Sequence, residues 1–103
     1  MVLVVFRSRL KPEALPAYTP MAQRMSELAR QMPGYHSHQA FTAADGERVT
    51  LVEFETEAQM RAWSVHPEHL EAQRIGREQF YASYSLQVCT VERERHFEAG
   101  PSA

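Results

Sequence analysis

The chain has 103 residues, 44% of them hydrophobic and 23% charged, with a formal net charge of −2. That length suits one domain and leaves no room for a nucleotide-binding domain beside a substrate domain. The charge balance lacks the basic excess of a nucleic-acid binder, and the longest wholly apolar run, residues 1–6 with Val2 to Phe6 as its strand-like part, is far short of the roughly 20 residues that span a bilayer. Neither nucleic acid nor a membrane is therefore expected as a partner. No basic stretch precedes that run and no small-residue cleavage site follows it, so no signal peptide is visible. Cys89 is the one cysteine, which excludes an internal disulfide and suits a reducing cytoplasm.

Val2–Leu10 is β-branched and aromatic and reads as a strand. Both of its faces are apolar through the first half, so it should be covered on both sides. Lys11-Pro12-Glu13 breaks it. Over residues 14–32 the apolar positions Leu15, Tyr18, Met21, Ala22, Met25, Leu28, Ala29 and Met32 recur in steps of three and four, the helical period. Pro16 and Pro20 predict that the regular part begins with Thr19 as N-cap and Pro20 at the first helical position. Pro33-Gly34 ends it.

Residues 35–43 read as a second strand, with His36 and His38 on one face and Tyr35, Ser37, Gln39 and Phe41 on the other. Asp45-Gly46 is a hairpin signal, and residues 48–55 form the third strand. Thr56 and Gln59 mark a helix start of capping-box type. That helix carries Met60, Ala62 and Trp63 and is interrupted before Pro67. A helical segment restarts there, with Pro67 at an allowed early position, and runs to about Gln79. Residues 80–95 read as a long last strand, with Ala82, Tyr84, Leu86 and Val88 as its core face. Glu92 to Arg95 form a solvated strand end, and residues 97–103 a flexible tail. The domain proper is residues 1–96.

The order β-α-β-β-α-β is the ferredoxin-like motif, an α+β sandwich of a four-stranded antiparallel sheet with helices on one face. Two helices cover one face of the sheet, and nothing in the chain remains to cover the other. A second copy packed sheet to sheet is the simplest cover, so a homodimer is expected.

The densest chemistry lies between Trp63 and Gln87. Trp63, His66, His69, Gln73, Gly76 and Phe80 fall at helical steps and share one face if the break at Pro67 is mild. His66 and His69 have the i, i+3 spacing that brings two imidazoles onto one metal. No carboxylate or third His is tied to them, so no metal is expected. Either His suits acid–base work near neutrality or a cap around the helix break. Trp63 suits a core position or a wall on which an aromatic ligand stacks. Cys89 has no base beside it and reads as a small apolar residue. No glycine-rich phosphate loop, CxxC pair or GxSxG elbow occurs, and the aromatic signature of RNA-binding sheets is missing.

The element order, Pro33-Gly34-Tyr35, Trp63, and the run from His66 to Arg93 (HPEHLEAQRIGREQFYASYSLQVCTVER) resemble the antibiotic biosynthesis monooxygenase domain family over residues 2–96. The match is best to its short bacterial members. The resemblance implies a dimeric α+β barrel. It also implies a cofactor-independent monooxygenase: a phenol- or quinol-type substrate is deprotonated, its anion reduces dioxygen, and the resulting hydroperoxide collapses to a quinone. By this resemblance Trp63, His66 and His69 are the catalytic candidates. Trp63, Gln73, Arg77, Phe80 and Tyr84 would contact the aromatic substrate. No cofactor and no metal are implied. The family's cofactor-free oxygenases set an Asn and a Tyr beside the Trp, where this chain has Gln59 and His69. Its haem-degrading members use an Asn on the first strand and a His about ten residues past the Trp, where this chain has Arg7-Ser8-Arg9 and Gln73. The alternative is a dimer that binds a small molecule without chemistry, with haem degradation and metal binding behind it.

Overall fold

The first strand, β1 (Val2–Leu10), lies inside the sheet, between β3 (Arg48–Phe54) and β4 (Tyr81–Thr90), and β2 (Tyr35–Thr42) pairs with the far side of β3. All pairings are antiparallel, in the order β2-β3-β1-β4. The helices are α1 (Leu15–Gln31), α2 (Glu57–Ser64) and α3 (Pro67–Ile75), followed by a π-helical turn at Gly76–Phe80. The computed structural model describes residues 1–101, so the final two residues of the expected tail lie outside the described residues. Among the described residues, no helix is long and apolar enough to cross a membrane.

Period-2 alternation decides which side of the sheet each residue meets. Val2, Val4, Val52 and Phe54 face the helices and are buried with Leu28, Ala29, Met60 and Trp63 in the main core. Leu3, Val5, Val49 and Leu51 alternate onto the opposite face, which no element among the described residues covers; there they are half-buried and Phe41 is exposed. Irregularities in two strands reset this phase. One falls between Tyr35 and Ser37, so Tyr35 stands opposite Phe54 and His38 opposite Val52. His36 and His38 therefore do not share a face. His38 turns under the helices, while the exposed His36 pairs with Glu55 at 2.6 Å. The other falls between Arg9 and Leu10, which stands opposite Tyr81 and brings Tyr81 to the same side as Tyr84.

Helix α1 starts earlier than Thr19. Ala14 is its N-cap, Pro16 lies in the first turn, and Pro20 sits inside the helix. Thr19 does not cap: its hydroxyl donates to the carbonyl of Leu15 at 2.9 Å. At the other end Gly34, with φ of +83°, reverses the chain; a left-handed turn of this kind is glycine territory. The Thr56 hydroxyl caps α2 by accepting from the Gln59 N–H at 3.2 Å. The last strand ends at Thr90, opposite Val2, rather than at Arg95. Its sole partner, β1, ends there, and a final bond from Val91 N–H to the Met1 carbonyl closes the ladder.

Candidate functional site

Between the helices and the inner face of the sheet lies a cavity of about 660 Å³, within the ~300–1,000 Å³ range of small-molecule sites. The inner faces of β1, β3 and β4 floor it, and α1, α2 and α3 wall it. It opens along β4, where Tyr84, Leu86 and Val88 are 45%, 56% and 46% exposed. These three were expected to be core. They stay open because no helix packs over the edge strand.

One end of the cavity is built on the junction of α2 and α3. Trp63, 6% exposed, packs on Phe54 and Met60. His69 stacks on its ring with centroids 4.2 Å apart, and His38 meets it edge-on at 6.3 Å. His69 Nδ1 lies 3.1 Å from the Trp63 carbonyl. A carbonyl only accepts, so Nδ1 carries the proton and Nε2 is the acceptor of the neutral ring. Burial lowers the pKa of both His69 and His38, which keeps the two rings neutral at pH 7. Among the described residues the buried Trp63 Nε1–H has no hydrogen-bond partner. Gln73 donates to the Ser64 carbonyl at 3.1 Å. Gln73 thus satisfies a carbonyl at the end of α2, and His69 adds a second donor to the Trp63 carbonyl, which also accepts from the His66 N–H at 3.1 Å.

The other end gathers Tyr18 from α1, Arg48 from the start of β3, and Tyr81 and Tyr84 from β4. The Arg48 guanidinium lies 5.3 Å from the Tyr18 ring centre, a cation–π distance. Among the described residues its side chain makes one hydrogen-bond contact, to Thr42 Oγ1 at 3.5 Å, and its Nε is buried with no partner. Burial, reinforced by Tyr18, raises the pKa of the Tyr81 phenol, so it stays protonated. Gly76 lets this ring pass, since a Cβ there would collide with it.

Of the residues singled out from sequence, the structure brings Trp63, His69, Gln73, Arg77 and Tyr84 to one cavity. It does not bring His66 or Phe80. His66 is the N-cap of α3, and its Nδ1 accepts from the Glu68 N–H at 3.2 Å. The break at Pro67 is a full stop between two helices, which turns His66 out of the face while Trp63 of α2 and His69 and Gln73 of α3 still meet at the cavity. Phe80 is buried against Ala14 and Tyr18 behind the cavity, because the π-helical turn advances the chain out of α-helical phase. His66 and His69 spend their Nδ1 atoms on different backbone groups. Among the described residues no three His, Cys, Asp or Glu side chains converge on a metal position.

His38, Arg48, Tyr18 and Tyr81 were missed. Arg48 had a signal: it alternates in phase with Thr50, Val52 and Phe54, an inward-facing position for a charged residue.

A family model described as antibiotic biosynthesis monooxygenase matches residues 1–75. Protein YqjZ of Bacillus subtilis is 34% identical over 95 residues, covering 92% of this chain and 82% of that protein. Among solved structures, Rv0793 from Mycobacterium tuberculosis superimposes with a TM-score of 0.82 at 21% identity, covering 92% of this chain and 98% of that one. SnoaB, a cofactor-independent oxygenase from Streptomyces nogalater, does so with a TM-score of 0.76 at 16% identity, covering 90% and 94%. At these identities the solved structures establish a shared fold.

Proposed function

The chain belongs to the antibiotic biosynthesis monooxygenase family, and on that premise we propose that it oxidises a phenol- or quinol-type aromatic with dioxygen, without a cofactor. The observation that carries this reading is Trp63, flanked by the neutral rings of His38 and His69 on the wall of an aromatic-sized cavity. A flat substrate stacks there, and His69 Nε2 takes its phenolic proton. The unpartnered Trp63 Nε1–H offers the resulting oxyanion a fixed donor. The anion passes one electron to dioxygen, the two radicals join as a peroxide anion on the ring carbon, and the proton held on His69 Nε2 returns to it to give the hydroperoxide. Loss of water breaks the O–O and C–H bonds. One oxygen atom stays as the new carbonyl and the other leaves in the water.

Oxygen uptake with anthrone and a naphthohydroquinone tests this. Wild type is expected to consume oxygen, His69→Ala to lose at least ~100-fold in kcat/KM, and His66→Ala to stay within about twofold because that side chain caps a helix off the cavity. A loss in His66→Ala as large as in His69→Ala would overturn the assignment. One observation favours binding without chemistry: His69 and Gln73 each already serve a carbonyl of α2. No uptake above a heat-denatured control, with the aromatic still quenching Trp63 fluorescence, would select that second reading.

We infer as well that two copies pack through the uncovered sheet face, where Leu3, Val5, Val49, Leu51 and the 53% exposed Phe41 lie. An apolar sheet face left in water is unfavourable, and its two-fold partner is the same patch on a second chain. Light scattering at micromolar concentration is expected to give twice the chain mass; a mass near 11.8 kDa would contradict it.

A further inference from the structure

We propose that the cavity selects an aromatic ligand bearing a carboxylate, and that Arg48 is the residue that binds that group. The inference rests on the reading of the cavity as an aromatic site and adds the charge of its occupant. Arg48, Arg61 and Arg77 line the cavity, and no Asp or Glu does among the described residues. The other arginines near the sheet and helices mostly have acids of their own: Arg7 with Glu47, Arg9 with Asp45, Arg24 with Glu68, Arg61 with Glu57. Arg48 has none. It turns inward from the first residue of β3, lies on the Tyr18 ring, and keeps a buried Nε–H without an acceptor. A buried guanidinium donor left unpaired is costly, and its planar fork matches a carboxylate in a bidentate pair.

The position also fits. Arg48 and Val52 lie four residues apart on β3, and Val52 stands opposite His38. At ~3.3 Å per strand residue the charged end and the histidine end are roughly 13 Å apart. Fused aromatic rings lying along the apolar floor of Val4, Phe6 and Val52 therefore reach Trp63 with one end while a carboxylate at the other meets Arg48.

Calorimetry with anthracene-2-carboxylate and its neutral isostere, anthracene-2-carboxamide, decides the matter. Neither carries an oxidisable phenol, so binding is read apart from turnover. Wild type is expected to bind the carboxylate at least tenfold more tightly. Arg48→Met should remove that preference and leave the carboxamide affinity within about twofold, while Arg77→Gln, at the exposed rim, should keep the preference. If Arg48→Met fails to fold, Arg48→Gln carries the same expectation. A preference that survives either Arg48 substitution, or that disappears in Arg77→Gln, overturns the assignment. Equal binding of both ligands by wild type overturns the charge selection and leaves the aromatic site standing. Binding of neither at millimolar concentration overturns both.

Discussion

The two ends of the cavity are built from different chemistry. At one end His38, Trp63 and His69 form a neutral cluster, locked to the end of α2 by a bond to a backbone carbonyl. At the other, Tyr18, Arg48 and Tyr81 form a charged and phenolic cluster whose guanidinium is only partly satisfied. A neutral imidazole with a free Nε2 can move a proton. A guanidinium instead offers a planar fork of donors that pairs with an anion. The contrast separates labour within one pocket: reaction at the tryptophan end, anchoring at the arginine end.

Perturbing one end at a time sharpens that contrast. Trp63→Ala should have the largest effect, because the ring is buried among Val52, Phe54 and Met60. Truncation of a core aromatic costs ~3–5 kcal/mol, to be read in urea unfolding. A loss under about 1 kcal/mol would mean that the ring does not hold this end together. Gly76→Ala attacks the other end, where the added methyl meets the Tyr81 ring. Overpacking of this kind costs ~1–3 kcal/mol. It should also weaken carboxylate binding while leaving the tryptophan end intact, as judged by unchanged Trp63 emission.

The smallest effect is a pH dependence confined to the histidine end. His38 and His69 have folded pKa values lowered by burial, so the unfolded chain binds more protons than the folded one just below neutrality. Their neutral forms are fully present above the unfolded histidine value of about 6.5, and stability falls as pH drops below it through the folded values. Urea midpoints measured between neutrality and mild acid should decline, and the decline should shrink in the His38→Phe, His69→Gln double variant. A decline of equal size in that variant would place its origin elsewhere.

Much of this was legible in the residues. The helical period over α1 and the strand-like runs gave the β-α-β-β-α-β order, and the cluster around Trp63 pointed to the α2–α3 junction. Trp63, His69 and Gln73 could be read because they lie close together in the chain on adjoining helices. His66 could not be placed correctly: helical spacing carries no phase across a break, and Pro67 starts a new helix with His66 as its cap. Phe80 was misplaced by the π-helical turn, which adds a residue to the repeat. Register shifts near His36 and Ala82 turned Tyr35, His38 and Tyr81 to the inner face against simple alternation. The arginine end draws on α1, β3 and β4, so no local window of sequence contains it. Tyr84, a substrate-contact candidate, and the inward phase of Arg48 were its two signals.

Trp63 is the one tryptophan of the chain, so its emission reports the occupancy of its own end of the cavity. An anaerobic titration with anthrone, run beside calorimetry, therefore tests the central claim most directly. Saturable quenching of Trp63 at one ligand per chain, with the same affinity in both measurements, is the predicted result. Calorimetric binding that leaves Trp63 emission unchanged, or no binding at millimolar anthrone, would contradict an aromatic site at Trp63.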